Sequence, residues 1–150
     1  MKTLIQRVKK ASCTVDNKLV SNINEGLLIF LGITHDDNEE DIDWLVNKIV
    51  GLRIFNDEEG VMNKSCIDID GEILIISQFT LHARTKKGNR PSYIDAARPE
   101  IAEELYLKFI QKTKELSKNK VDKGIFGADM KIELLNDGPV TIIIDSKNRI

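Results

Sequence analysis

Only two cysteines, three prolines and two histidines occur among the 150 residues. Cys13 and Cys66 form no Cys-x-x-Cys pair and have no histidine nearby, which excludes a disulfide-stapled scaffold and a thiolate zinc site. They are expected to be reduced, partly buried thiols. No group of His, Cys and carboxylates stands at ligand spacing, so no metal is expected, and no cofactor either. The longest apolar run, 27–33, contains Gly32 and falls far short of the ~20 residues of a membrane-spanning helix. Residues 1–10 carry Lys2, Arg7, Lys9 and Lys10 with no long apolar stretch behind them, so no secretory signal is expected and a cytoplasmic location follows. Charge of one sign is lacking too. Twenty-two basic and 24 acidic residues leave −2, so a nucleic-acid partner would have to be held by a local patch and not by the overall field.

What is present is the composition of a folded chain, 41% hydrophobic and 31% charged. A chain of this length fits one domain over 1–150 and buries roughly 68–70% of its unfolded surface. No repeat, low-complexity tract or Pro/Gly/Ser linker interrupts it.

Strands are predicted over 3–8, 11–15 and 19–23, with Asp16-Asn17-Lys18 as a turn. The continuous apolar run 27–33 has the pattern of a strand covered on both faces. Asp37 and Glu40 have the form of a capping box, and Ile42, Leu45, Val46, Ile49 and Val50 follow as one helical stripe. A polar, turn-rich stretch over 56–60 precedes a strand over 72–79. Pro99 suits the first turn of a second helix, whose stripe is Ile101, Ala102, Leu105, Phe109, Ile110 and Leu116. Two last strands, 130–135 and 140–145, are broken by Asn136-Asp137-Gly138-Pro139. Two helices cannot line both faces of some seven strands. A mixed α/β fold is therefore predicted, with two packed sheets and both helices on one outer face.

Three segments carry more chemistry than packing requires. In Ser77-Gln78-Phe79-Thr80-Leu81 a buried-looking strand ends in polar groups, where a scaffold presents side chains and free N–H groups to a site. Ser77 or Thr80 could be a nucleophile with His82 as base, or both could merely cap the strand end. Gly138-Pro139 is either an ordinary turn or a fixed peptide presenting carbonyls to a ligand. The run from Arg84 to Pro91 places Arg84, Lys86, Lys87 and Arg90 within eight positions. It reads either as a solvated loop or as a seat for a phosphate-bearing substrate beside the first segment.

Taken in order, SQFTL at 77–81, TKKGNRPSY at 85–93, Ala96-Ala97, GIFGADM at 124–130 and NDGPVT at 136–141 resemble the D-aminoacyl-tRNA deacylase family along the whole chain, as does Ile5-Gln6-Arg7-Val8. The resemblance implies a β/β/α fold and a homodimer with each active site at the subunit interface. It implies hydrolysis of the ester between a D-amino acid and the 3′ end of tRNA, and removal of glycine from mischarged tRNA. Gly138-Pro139 would be a cis peptide entering the partner's pocket, its carbonyls receiving the substrate's α-amino group and leaving no room for an L side chain. N–H groups around Phe79 and Thr80 would hold the developing oxyanion, with Ser77, Gln78 and Thr80 side chains positioning the ribose and ester. Phe126 and Met130 would pack on the terminal adenine. The family implies a reaction independent of a side-chain nucleophile, assisted by the tRNA 2′-hydroxyl. No membrane or DNA partner is expected. Two other classes remain open from the residues alone: a general esterase using Thr80 or Ser77, and a non-catalytic RNA-binding module using the four basic residues.

Overall fold

The computed structural model describes residues 1–150. Its elements run β1 (Lys2–Val15), β2 (Lys18–Ile23), β3 (Gly26–Gly32), α1 (Glu39–Val50), β4 (Phe55–Asn56), β5 (Met62–Lys64), β6 (Glu72–Ser77), a 3-10 turn (Phe79–His82), α2 (Pro99–Leu116), β7 (Val121–Lys123) and β8 (Lys131–Asp145). The two strands predicted over 3–8 and 11–15 are one, because the break at Lys9-Lys10 faces solvent and the ladder to β8 continues past it.

Hydrogen bonds join six strands into one sheet, β2-β1-β3-β6-β7 with β8 on β1; β4 and β5 form a small separate hairpin. Two separate large sheets were expected. One sheet forms because β1 pairs with β3 through its first half and with β2 through its second, while β8 covers its other edge along both. The sheet then curls towards closure: Lys120, just before β7, reaches the Asn22 carbonyl of β2, and the Asn24 N–H donates to the Glu72 carboxylate at 2.8 Å. β7, too short to be read from its sequence, lies parallel to β6.

β3 and β6 are buried on both faces, as their unbroken apolar runs require. Leu27, Ile29, Leu31, Ile73 and Ile75 pack with Ile5 and the two helices. Leu28, Leu74 and Ile76 pack instead with Val8, Ala11, Cys13 and Ile23 from the curled end of the sheet.

α1 starts one residue later than its capping signal suggested. Asn38 is the cap, accepting from the Glu40 N–H, and Asp41 closes the box on the Asn38 N–H. Asp37 is engaged elsewhere, accepting from the Thr34 N–H at 2.7 Å and from the Met1 amine. In α2 the apolar stripe is buried as expected at Ala102, Leu105, Phe109 and Ile110, together with Tyr106, but Ile101 lies outside it and is exposed.

β8 is interrupted by a large bulge. Val8 pairs with Asn136 and Gln6 with Thr141, so four residues of β8 stand opposite the single residue Arg7. The break predicted over 136–139 is this bulge. Asn136 closes its neck, its Nδ2 donating to Arg7 O at 2.9 Å and Val140 O at 3.0 Å. The Gly138-Pro139 peptide within it is cis, and Gly138 has φ +126°, a conformation suited to glycine.

Candidate active site

β6 brings Ser77 to the edge of a cavity of about 630 Å³. The Gln78 N–H donates to Leu31 O at 2.8 Å, continuing the sheet one residue beyond the strand, and the chain then winds into the 3-10 turn. The first internal bond of that turn runs from Leu81 N–H to Gln78 O. The N–H groups of Phe79 and Thr80 precede it and have no acceptor inside the turn. The Thr80 hydroxyl accepts from Gln78 Nε2 at 2.6 Å. His82, the candidate base, makes no bond to Thr80. Its Nε2 is buried without a partner, and its ring packs on Gly32.

The cavity is lined mostly by apolar side chains of β3, β6, the start of α2 and 126–132. Of the residues predicted for the site it gathers Ser77, Gln78, Phe79, Phe126 and Met130. Phe126 lies 5.8 Å from the ring of Tyr106. Tyr106 is buried, its hydroxyl donating to Ile75 O at 2.8 Å, and burial pushes its ionisation well above the usual phenol range. Met130 reaches the wall because residue 124 is glycine: a Cβ there would stand 2.4 Å from Met130 Sδ and 3.0 Å from Ile76 Cδ1.

The remaining predicted residues lie outside this cavity. Gly138 and Pro139 are exposed on the β8 bulge and do not line their own chain's cavity. Lys86, Lys87 and Arg90 are exposed at the tip of a loop and form no ion pair. Arg84 differs from them. Its guanidinium grips the Asp95 carboxylate with two bonds, one at 2.6 Å, and holds that carboxyl below the usual carboxylate range.

Three residues were missed by sequence reasoning. Tyr93 and Phe79 meet edge to face at 5.0 Å on the cavity wall. Gly124 gave no signal beyond its place in a motif. Arg7 is almost wholly buried, donating to Ile54 O at 2.6 Å and to Asp137 O at 3.1 Å, in the bulge. Its signal was present: Arg7 shares strand parity with the buried Thr3 and Ile5, where an outward lysine or arginine would not belong.

A family described as D-Tyr-tRNA(Tyr) deacylase matches residues 4–145. A D-aminoacyl-tRNA deacylase of Christiangramia forsetii is 65% identical over 150 residues, covering 99% of both chains. One of Bacteroides thetaiotaomicron is 58% identical over 149 residues, again with 99% of both covered. Among solved structures, a protein described as c-Myc DNA Unwinding Element Binding Protein is similar at TM-score 0.92 and 39% identity, covering 97% of this chain and 98% of that one. A probable eukaryotic D-amino acid tRNA deacylase shares the fold at TM-score 0.81 and 17% identity, over 95% and 97% of the two chains. Fold and full-length similarity together define a hydrolase of the aminoacyl-tRNA deacylase class. The chain belongs to the D-Tyr-tRNA(Tyr) deacylase family. No helix in it is long and apolar enough to cross a membrane.

Proposed function

We propose that this chain, as one domain over 1–150, hydrolyses the ester of D-aminoacyl-tRNA in the cytoplasm, releasing free D-amino acid and tRNA, and also clears mischarged glycyl-tRNA. It acts as a homodimer, each cavity completed by the partner's Gly138-Pro139. The observation that carries the reading is the separation just described: the corner stands exposed, outside its own chain's cavity, on a strand whose far edge pairs with nothing. A second copy can receive it there. Exposed Leu135 and Ile143 on the same strand supply apolar surface for such a contact.

In the completed site the partner's carbonyls accept the α-amino group, and an L side chain meets main chain where a D side chain points away. Glycine has no side chain to exclude. The N–H groups of Phe79 and Thr80 face the developing oxyanion, each such donor typically worth about 2.7–4 kcal/mol to the transition state. Ser77 and the bonded Gln78–Thr80 pair position the ribose and ester, and Phe126 and Met130 pack on the terminal adenine. Water attacks with the help of the tRNA 2′-hydroxyl. Neither metal nor cofactor takes part. Lys86, Lys87 and Arg90 meet phosphates further along the tRNA. A nucleophilic Thr80 is disfavoured, since its hydroxyl is bound to an amide donor and no base reaches it.

Deacylation of matched D- and L-aminoacyl-tRNA tests the reading. Rapid release from the D ester and negligible release from the L ester is expected. Equal rates would defeat it, and tRNA binding with no release from either would leave an RNA-binding module in its place.

A further inference from the structure

Arg84 sits where a phosphate contact was expected, yet its guanidinium is turned to Asp95. The loop it opens is closed at the neck by two backbone bonds, Arg84 N–H to Ser92 O at 2.8 Å and Ser92 N–H to Arg84 O at 3.0 Å. Tyr93 lies between this neck and Asp95. The segment beyond is tied back to the sheet: Ala96 N–H donates to Tyr93 O at 3.0 Å and Ala97 N–H to Ile33 O at 2.9 Å. Tyr93 is thereby fixed at the cavity wall, with its ring against Phe79 at an interplanar angle of 76°.

Phe79 needs such a neighbour. It opens a 3-10 turn that no side chain caps, and the residue is 56% exposed. An edge-to-face contact with Tyr93 restricts the Phe79 side chain. The direction of the Phe79 N–H is set by the main chain, and a ring anchored against Tyr93 limits how far the first residue of the turn, and the main chain that carries this donor, can move.

We propose, resting on the deacylase reading above, that Tyr93 is a positioning residue for the reaction: its ring sets Phe79 and the N–H pair that begins the turn, and the Arg84–Asp95 pair serves to hold Tyr93 in place and does not bind nucleic acid. Arg84 is accordingly separate from the patch formed by Lys86, Lys87 and Arg90.

The test uses the full chain, D-tyrosyl-tRNA, and the backbone amide signals of Phe79 and Thr80. Tyr93→Leu is expected to lower kcat about tenfold with KM within about twofold, and to shift both amides. Tyr93→Phe, which keeps the ring, restores kcat to within about threefold of the parent. Asp95→Asn loosens the clamp and lowers kcat severalfold without tightening tRNA binding. The proposal is overturned if Tyr93→Leu leaves kcat and both amides unmoved, or if its whole effect falls on KM. It is equally overturned if Asp95→Asn lowers KM, as a freed phosphate-binding arginine would. Should Tyr93→Leu fail to fold, the surface variant Asp95→Asn decides in the same terms. An inactive parent enzyme would sink the deacylase reading instead, while the amide shifts still report on the Tyr93–Phe79 coupling.

Discussion

Arg7 and Asp137 are joined twice: Arg7 Nε donates to the Asp137 carbonyl at 3.1 Å and lies 3.4 Å from the same residue's carboxylate. The arginine comes from the middle of β1 and the aspartate from the start of the bulge directly opposite it. The residue following Asp137 is Gly138, where a Cβ would stand 3.0 Å from Arg7 Nη2. One buried cation therefore sets the direction in which the corner leaves the sheet.

Arg7→Met removes that cation and leaves Ile54 O without its donor. Roughly 1–3 kcal/mol of stability should be lost, the usual cost of an unpaired buried polar group. Urea unfolding measures it. D-aminoacyl-tRNA turnover should fall further than stability alone accounts for, since the variant chains that remain folded carry a misdirected corner.

At Gly138 two obstacles coincide. A Cβ would meet Val140 Cγ2 at 2.9 Å as well as the arginine, and φ +126° disfavours any L side chain. Gly138→Val is expected to lower kcat/KM for D-tyrosyl-tRNA at least tenfold. A rate equal to the parent's would argue against the cross-subunit corner.

Thr80→Ala separates two chemistries. With main-chain donors and the tRNA hydroxyl carrying the reaction, turnover should stay within about tenfold of the parent. A covalent threonine would instead cost about 10³-fold or more. Single-turnover deacylation gives the answer without interference from product release.

Cys66 offers a pH signature. Burial pushes its thiol up to about 12, against about 8.5 in an unfolded chain. The folded state holds this proton where the unfolded state has released it, so stability falls as pH rises above about 8.5 and continues to fall towards 12. On the order of 1–2 kcal/mol should disappear between pH 8.5 and 10, and Cys66→Ala should remove that part of the slope in alkaline unfolding curves. In the native protein at neutral pH the thiol should resist alkylation, because little thiolate forms and little of it is reachable.

Most elements were legible because their apolar spacing is strong. The unbroken run 27–33 announced a strand buried on both faces, and the stripe from Ile42 to Val50 announced α1. The joining of strands was not legible. A pair of lysines inside β1 looks like an end, and only the ladder to β8 shows that the chain continues straight. β7 was invisible because three residues, Val121-Asp122-Lys123, are too few to carry a periodicity, and its place is set by β6 beside it.

Of the residues recognisable by order along the chain, 77–79, Phe126 and Met130 line one cavity. What escaped was the pairing of individual side chains across segments. The preference of Arg84 for Asp95 over solvent, eleven residues on, depends on how the intervening loop closes. The burial of Arg7 depends on a bulge formed 130 positions later. Strand parity points to the burial of Arg7, but the partner of neither arginine can be read locally, because each contact is a property of the tertiary arrangement.

The bulge has one more consequence, for how the enzyme would fail under stress. β8 ties down the whole length of β1 and also carries the corner that the proposed reaction uses to tell one mirror image from the other. Robustness and accuracy thus hang on the same ribbon. Warming that frays its ladder should blur discrimination while the cavity formed by β6 and α2 still turns over, so that errors precede inactivation.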